Sequence, residues 1–150
     1  MGTVLTKWNY RYMELAKLVS TWSSCLSRHV GAVITVNRRV VATGYNGAPA
    51  GIPSCMETGI CLRANSKSGD NLDICKAVHA EQNALMQAAK FGISVEGGDI
   101  YCTTLPCITC VKLLINSGIK NIYYNEEYNS PMTKTFCEQA GINLIRINND

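Results

Sequence analysis

From Ala77 onward the chain alternates helical and strand periods without a break. Ala80, Ala84, Leu85, Ala88 and Ala89 share one helical face, and Gly92 stops that helix. Asp99–Thr104 is a strand. Pro106 then occupies the first turn of a helix that runs through Val111, Leu114 and Ile115 to Gly118. Lys120–Tyr124 is a strand, Pro131–Ala140 a helix ended by Gly141, and Asn143–Ile147 the last strand. Such alternation requires a mostly parallel sheet covered by helices on both faces.

The N-terminal half supplies the rest. Tyr12, Leu15, Ala16, Val19 and Trp22 recur at three- and four-residue steps and predict a first helix. Val30–Val36 and Val40–Tyr45 are short β-rich runs on either side of Asn37-Arg38-Arg39, a hairpin that contributes one antiparallel strand. The element order is αββαβαβαβ, and 150 residues suit a single domain, 1–150. Trp8, Tyr10, Tyr12 and Trp22 form an aromatic cluster in and before the first helix, read as core or subunit contact.

Charge and targeting signals narrow the function. Fourteen Lys and Arg against eleven Asp and Glu give +3, too mild for binding bulk nucleic acid or a membrane surface but compatible with a small anionic ligand. Charged residues make up 17%, below the usual ~25%, which predicts surface buried in an oligomer. Lys7, Arg11, Glu14 and Lys17 leave no apolar stretch for a secretory signal, and Val40–Met56 is interrupted by three glycines and two prolines, so no membrane span is expected. Met1–Thr6 fits the short N-myristoylation pattern, a match best explained by chance.

Eight cysteines in a chain without a secretion signal point to a cytoplasmic protein that binds metal or uses thiol chemistry. Two half-motifs give this substance. His79-Ala80-Glu81 opens one helix, and Pro106-Cys107-Ile108-Thr109-Cys110 opens another. Residues three apart share a helix face, so Cys107 and Cys110 can grip one ion, with His79 as third ligand. Two helix N-termini would favour the two thiolates. Three protein ligands leave the fourth zinc position open, as in catalytic sites, and Glu81 could then move protons. H-x-E followed by P-C-x-x-C is the signature of zinc nucleobase deaminases. Taken singly, Cys107 and Cys110 could be a redox pair, His79 a core histidine and Glu81 a solvated helix charge.

The chain resembles the cytidine deaminase superfamily, and most closely its deoxycytidylate (dCMP) deaminases. The resemblance rests on Ser27-Arg28-His29-Val30-Gly31-Ala32-Val33-Ile34, on Ala42-Thr43-Gly44-Tyr45-Asn46-Gly47-Ala48-Pro49-Ala50-Gly51, on the two metal half-motifs, on Ser117-Gly118-Ile119-Lys120 and on Tyr128. Gln82 stands where many members have Met. The resemblance implies a three-layer α/β/α sandwich around a five-stranded mixed sheet. It implies hydrolysis of dCMP to dUMP and ammonia, with dUMP supplied to thymidylate synthesis. By position, His79, Cys107 and Cys110 hold zinc, Glu81 shuttles protons, and Asn46, the Ala80 N–H, Tyr128 and Arg28 bind substrate. From the residues alone, Asn46 reads as turn chemistry, Arg28 as a solvated turn residue and Tyr128 as surface packing.

A Cys-rich loop at about 48–76 resembles the bacterial and viral branch, whose second, structural zinc matches Cys25 and Cys55. Cys61 and Cys75 would complete a closed four-cysteine site that clamps the loop; the alternative is four inert buried thiols. Cys102 and Cys137 are expected in the core. The family further implies a homohexamer, activation by dCTP and inhibition by dTTP with Mg²⁺ accompanying the effector. The rival readings are an RNA- or base-editing deaminase of the same superfamily and a non-catalytic zinc module that binds a partner.

Overall fold

A computed structural model describes residues 4–67, 70 and 74–148. The Met1-Gly2-Thr3 part of the myristoylation match, and Ser68, Gly69 and Asn71 to Asp73 of the Cys-rich loop, lie outside the described residues. Ten elements follow in order: α1 (Lys7–Ser20), β1 (Gly31–Val36), β2 (Arg39–Tyr45), α2 (Cys55–Thr58), α3 (Ala80–Lys90), β3 (Asp99–Thr104), α4 (Ile108–Ser117), β4 (Asn121–Glu126), α5 (Pro131–Ala140) and β5 (Asn143–Arg146). The strands form one mixed sheet in the order β2-β1-β3-β4-β5.

Four strands run in one direction and β1 alone runs against them, the single antiparallel strand that the hairpin predicts. β1 pairs antiparallel with both β2 and β3, while β3–β4 and β4–β5 are parallel. The long excursion from β2 through the loop and α3 returns beside β1 in the opposite sense, so the hairpin joins the sheet through an antiparallel seam. Asn37 and Arg38 take positive φ, 52° and 60°. That is the two-residue hairpin geometry whose twist matches the strands. A register shift at Ile34/Thr35 bulges the same hairpin.

The sheet's two faces carry separate cores. Ile34, Ile100, Cys102 and Ile122 meet Ala84 and Ala88 of α3, Val111 and Leu114 of α4, and Cys137 of α5. On the opposite face Val33, Tyr101, Tyr123 and Ile147 meet Tyr12, Met13, Ala16 and Val19 of α1. Alternation along the strands separates the sets, since neighbouring residues point to opposite faces. Tyr101 and Tyr123 stack with centroids 4.5 Å apart, and the buried Asn9 amide donates to the Tyr101 hydroxyl at 2.8 Å.

The structure corrects four local expectations. Trp22 lies past the end of α1, half-exposed and edge-on to Tyr45, so the aromatic cluster splits into Trp8–Tyr12 and Trp22–Tyr45 pairs. Pro106 precedes the N-cap Cys107 instead of sitting in the first turn of α4. Helix α3 begins at Ala80 with His79 as N-cap, as the His79-Ala80-Glu81 opening predicts, but the helical period does not reach back to Ala77, because Val78 pairs with Gly47 in an isolated bridge and holds the preceding backbone extended. The loop contains a short helix, α2, whose N-cap Ser54 accepts the Glu57 N–H at 3.1 Å and which Gly59 ends at φ 72°. Ser54-Cys55-Met56-Glu57 is a capping-box pattern that marks this turn.

Two glycines set how closely helices approach the sheet. A Cβ at Gly31 would run into the backbone of α1 at Ala16 and Ser20, and one at Gly44 into the backbone of α3 at Ala80 and Ala84. Gly44 therefore decides where the start of α3 rests. Gly44→Ala is expected to lower the unfolding free energy by about 2–3 kcal/mol, since backbone cannot yield as a side-chain tip can. Urea denaturation checks this, and a change below about 0.5 kcal/mol would contradict the close approach.

Candidate active site

The starts of α3 and α4 converge. His79 is the N-cap of α3, and Ala80 and Glu81 open its first turn. Cys107 is the N-cap of α4, and Cys110 lies three residues on. His79 Nδ1 is 3.5 Å from Cys107 Sγ and 3.2 Å from Cys110 Sγ, and the three donor atoms lie within 4.8 Å of one another. Among the described residues this is the group of donors gathered closely enough for a metal ion.

The chemistry of the set suits zinc. One imidazole nitrogen and two thiolate sulfurs are ordinary zinc ligands, and tetrahedral zinc would separate such donors by about 3.6–3.8 Å. Hydrogen bonding to Cys110 draws the Cys107 pKa down to about 4, and the same interaction pushes Cys110 up. The Cys107 partnership raises His79. The donors share protons tightly, and a cation would displace them. Both helix N-termini present positive dipole ends to the thiolates. Gln82 fixes the His79 end: its Oε1 accepts the His79 N–H at 2.9 Å. The sequence reading gave Gln82 no part, although its place three residues after the N-cap is a capping position.

Glu81 is 4% exposed. Burial raises its carboxyl pKa, with His79 the charge that opposes the shift. Behind it Cys102 is fully buried, and burial together with the Glu81 charge pushes that thiol well up. Cys102 and Cys137 pack in the core as expected.

His79, Ala80, Glu81 and Cys107 line a cavity of about 550 Å³, as do Arg28, Val30, Asn46, Leu105 and Tyr128. All four sequence-derived substrate residues thus meet at one cavity. The Arg28 guanidinium stacks over the Tyr128 ring, 4.9 Å from its centroid. Asn46 is 8% exposed, and its amide is engaged with the wall: Oδ1 accepts the Val30 N–H at 2.8 Å and Nδ2 donates to the Arg28 carbonyl at 2.9 Å. The turn reading and the pocket reading of Asn46 both describe real features, because the amide shapes the wall it lines. Arg63, which the sequence reading passed over, also lines the cavity; its signal was a cation two residues after Cys61.

Cys25, Cys55, Cys61 and Cys75 line the same cavity. The Met56 N–H donates to the Ser24 carbonyl at 3.2 Å and ties α2 to the segment carrying Cys25. Burial raises the Cys55 pKa, and Cys61, Cys25 and Cys75 add to the rise. At Cys25 burial opposes ionisation, but the Arg28 backbone and the Ser27 hydroxyl draw the pKa down. The four thiols are near neighbours, yet among the described residues no three of them bring their sulfurs within 4.8 Å. The ends of the loop that holds Cys55, Cys61 and Cys75 meet where Gly47 and Val78 exchange backbone hydrogen bonds of 3.2 and 2.8 Å.

The profile of the cytidine and deoxycytidylate deaminase zinc-binding region matches residues 6–126. A deoxycytidylate deaminase of Schizosaccharomyces pombe is 41% identical over 140 residues, covering 91% of this chain and 43% of that protein. ComE operon protein 2 of Bacillus subtilis is 39% identical over 145 residues, covering 95% of this chain and 72% of that protein. The crystal structure of a dCMP deaminase from cyanophage S-TIM5, in complex with dCMP and dUMP, superposes with a TM-score of 0.81 at 29% identity, covering 97% of this chain and all of that one. The chain spans less than half the length of the fission-yeast relative.

The donor geometry makes a prediction independent of any substrate. Protein purified without chelator is expected to carry zinc, and Cys110→Ala is expected to carry one equivalent less by elemental analysis. Equal zinc in both would remove Cys110 from the ligand set.

Proposed function

The chain belongs to the cytidine and deoxycytidylate deaminase family, and on that premise we propose that it hydrolyses dCMP to dUMP and ammonia. The observation that carries this reading is the Glu81 carboxyl, buried with a raised pKa beside the His79, Cys107 and Cys110 donors on the wall of a nucleotide-sized cavity. Support for the substrate comes from the relatives named deoxycytidylate deaminase and from the cyanophage enzyme crystallised with dCMP and dUMP.

Zinc held by His79, Cys107 and Cys110 would supply Lewis acidity that makes water a competent nucleophile near neutral pH. Glu81 does the proton work. Its carboxylate accepts a proton from the attacking water and delivers it to the ring N3, then accepts the remaining proton from the hydroxyl added at C4 and delivers it to the departing amine. A raised pKa suits a group that must both accept and give. The Ala80 N–H, at the start of α3, faces the pyrimidine carbonyl. Asn46 frames the deoxyribose, and Val30 and Leu105 turn apolar surface to the cavity. Tyr128 and Arg28, stacked together, take the phosphate side.

The finer features rest on family resemblance. A second, structural zinc on Cys25, Cys55, Cys61 and Cys75 would draw the four thiols together and clamp the loop; their common cavity wall supports it, as does the raised Cys55 pKa, to which the other three contribute after burial. Residues 1–150 act as one domain. The chains assemble into a homohexamer, supported by exposed apolar side chains such as Phe91, Met86 and Leu18. dCTP activates and dTTP inhibits, with Mg²⁺ bound to the effector. The dUMP formed feeds thymidylate synthesis. A cytoplasmic setting suits eight free cysteines. Among the described residues no helix is long and apolar enough to cross a membrane.

A deamination panel of dCMP, dCTP, CMP, deoxycytidine and cytosine, with and without added dCTP and Mg²⁺, tests the substrate. Selective conversion of dCMP is expected, and silence across the panel in zinc-loaded protein would overturn the reading. Glu81→Ala is expected to keep its zinc and lose turnover by about 10²- to 10⁴-fold; normal turnover would exclude Glu81 as proton carrier. Elemental analysis is expected to give two zinc ions per chain, falling to one in Cys61→Ser. One zinc in the parent protein, with full activity in that variant, would reject the second site.

A further inference from the structure

We propose that Arg63 is a specificity-determining residue of this cavity: with Arg28 it forms a pair of guanidiniums that binds a phosphate monoester and selects nucleoside 5′-monophosphates over nucleosides. The inference deepens the nucleotide reading above and rests on it.

The charges around the cavity are lopsided. Among the described residues its lining carries one carboxyl, Glu81, buried against the metal donors, and two guanidiniums, Arg28 and Arg63, with no lysine and no aspartate. The guanidiniums come from different walls. Arg28 lies between α1 and β1 and stacks on Tyr128. Arg63 lies in the loop between α2 and α3, two residues from Cys61, and lines the same cavity as His79.

Arg63 is held in place by its own loop and has no carboxylate partner among the described residues. Its Nε donates to the Asp70 carbonyl at 2.8 Å, and Nη2 leans toward the Lys67 carbonyl at 3.4 Å. Both acceptors are neutral backbone groups. Among the described residues no carboxylate comes within ion-pair distance of Arg63 or Arg28. The Nη1 edge of the Arg63 fork has no protein acceptor among the described residues. A half-buried guanidinium that gives two donors to neutral backbone carbonyls and lines a cavity is poised for an anion. The planar fork matches phosphate oxygens in pairs, which a lysine cannot do. The loop's own backbone bonds, Ala64 N–H to the Cys61 carbonyl at 3.0 Å and Ser66 N–H to the Arg63 carbonyl at 2.9 Å, hold the turn that presents it.

The decisive experiment is calorimetric titration of zinc-loaded protein with dUMP and with deoxyuridine, which differ only in the phosphate. In the parent protein dUMP is expected to bind far more tightly. Arg63→Ala is expected to cut the dUMP-to-deoxyuridine affinity ratio by about 10- to 100-fold, the worth of charge-assisted hydrogen bonds to an ion. Arg63→Lys should recover only part of it, and the dCMP-to-deoxycytidine ratio of kcat/KM should fall in parallel. Arg63→Gln, which keeps an amide donor for the loop carbonyls, guards against a folding artefact, with melting temperatures compared throughout. A ratio unchanged within about 2-fold in both Arg63→Ala and Arg63→Gln, or equal losses for both ligands, overturns the proposal. Parent protein that prefers dUMP through Arg63 yet converts no dCMP would refute the deaminase reading and uphold this one.

Discussion

The contact between two helix starts organises this molecule. α3 and α4 meet at their N-termini, and His79, Cys107 and Cys110 come together there with separations that suit one ion. Each helix brings unsatisfied N–H groups and a positive dipole end to this point, which is unfavourable unless negative charge sits between them. Thiolates at Cys107 and Cys110 meet that requirement. The sheet contributes position: Gly44 lets β2 rest on the first turn of α3, and the parallel β3–β4 pairing delivers the chain to the start of α4. The same geometry carries Glu81 into the interior, where its carboxyl keeps a proton more readily than in water.

The fold was legible from periodicity wherever local punctuation marks the ends of an element. α5 and β3 begin and end where Pro131, Gly141, Asp99 and Thr104 say they should. Legibility failed where a distant partner intervened. Val78 reads as helix, but Gly47 pairs with it. Trp22 fits the helical stripe of α1, yet the helix has ended and the ring turns to Tyr45. The antiparallel seam between β1 and β3 depends on which strand the chain returns to after α3, and local pattern does not carry that information.

The site divides along the same line. His79, Glu81, Cys107 and Cys110 stood out because metal chemistry requires fixed residue types at fixed spacing. Arg28, Asn46 and Tyr128 came from family resemblance, and the structure brings all three to the same cavity. Arg63 escaped notice and Gln82 was given no role: an arginine in a polar loop and a glutamine in a helix are commonplace, and only three-dimensional placement separates them from their many inert counterparts. Asn46 shows why residue-by-residue reading stays ambiguous, since one amide both ties the Arg28 and Val30 backbone and faces the cavity.

The pairing of Gly47 with Val78 reaches further than its two hydrogen bonds suggest. It pinches the entry and exit of a thirty-residue excursion to a single point. The entropic cost of such an excursion grows only slowly with its length once its ends are joined. The segment can therefore change in length and content while the sheet and the metal donors stay where they are. It works as an exchangeable cassette: the chemistry is anchored in the scaffold, and the cavity wall opposite can be rewritten, cysteines and Arg63 included, to meet different ligands.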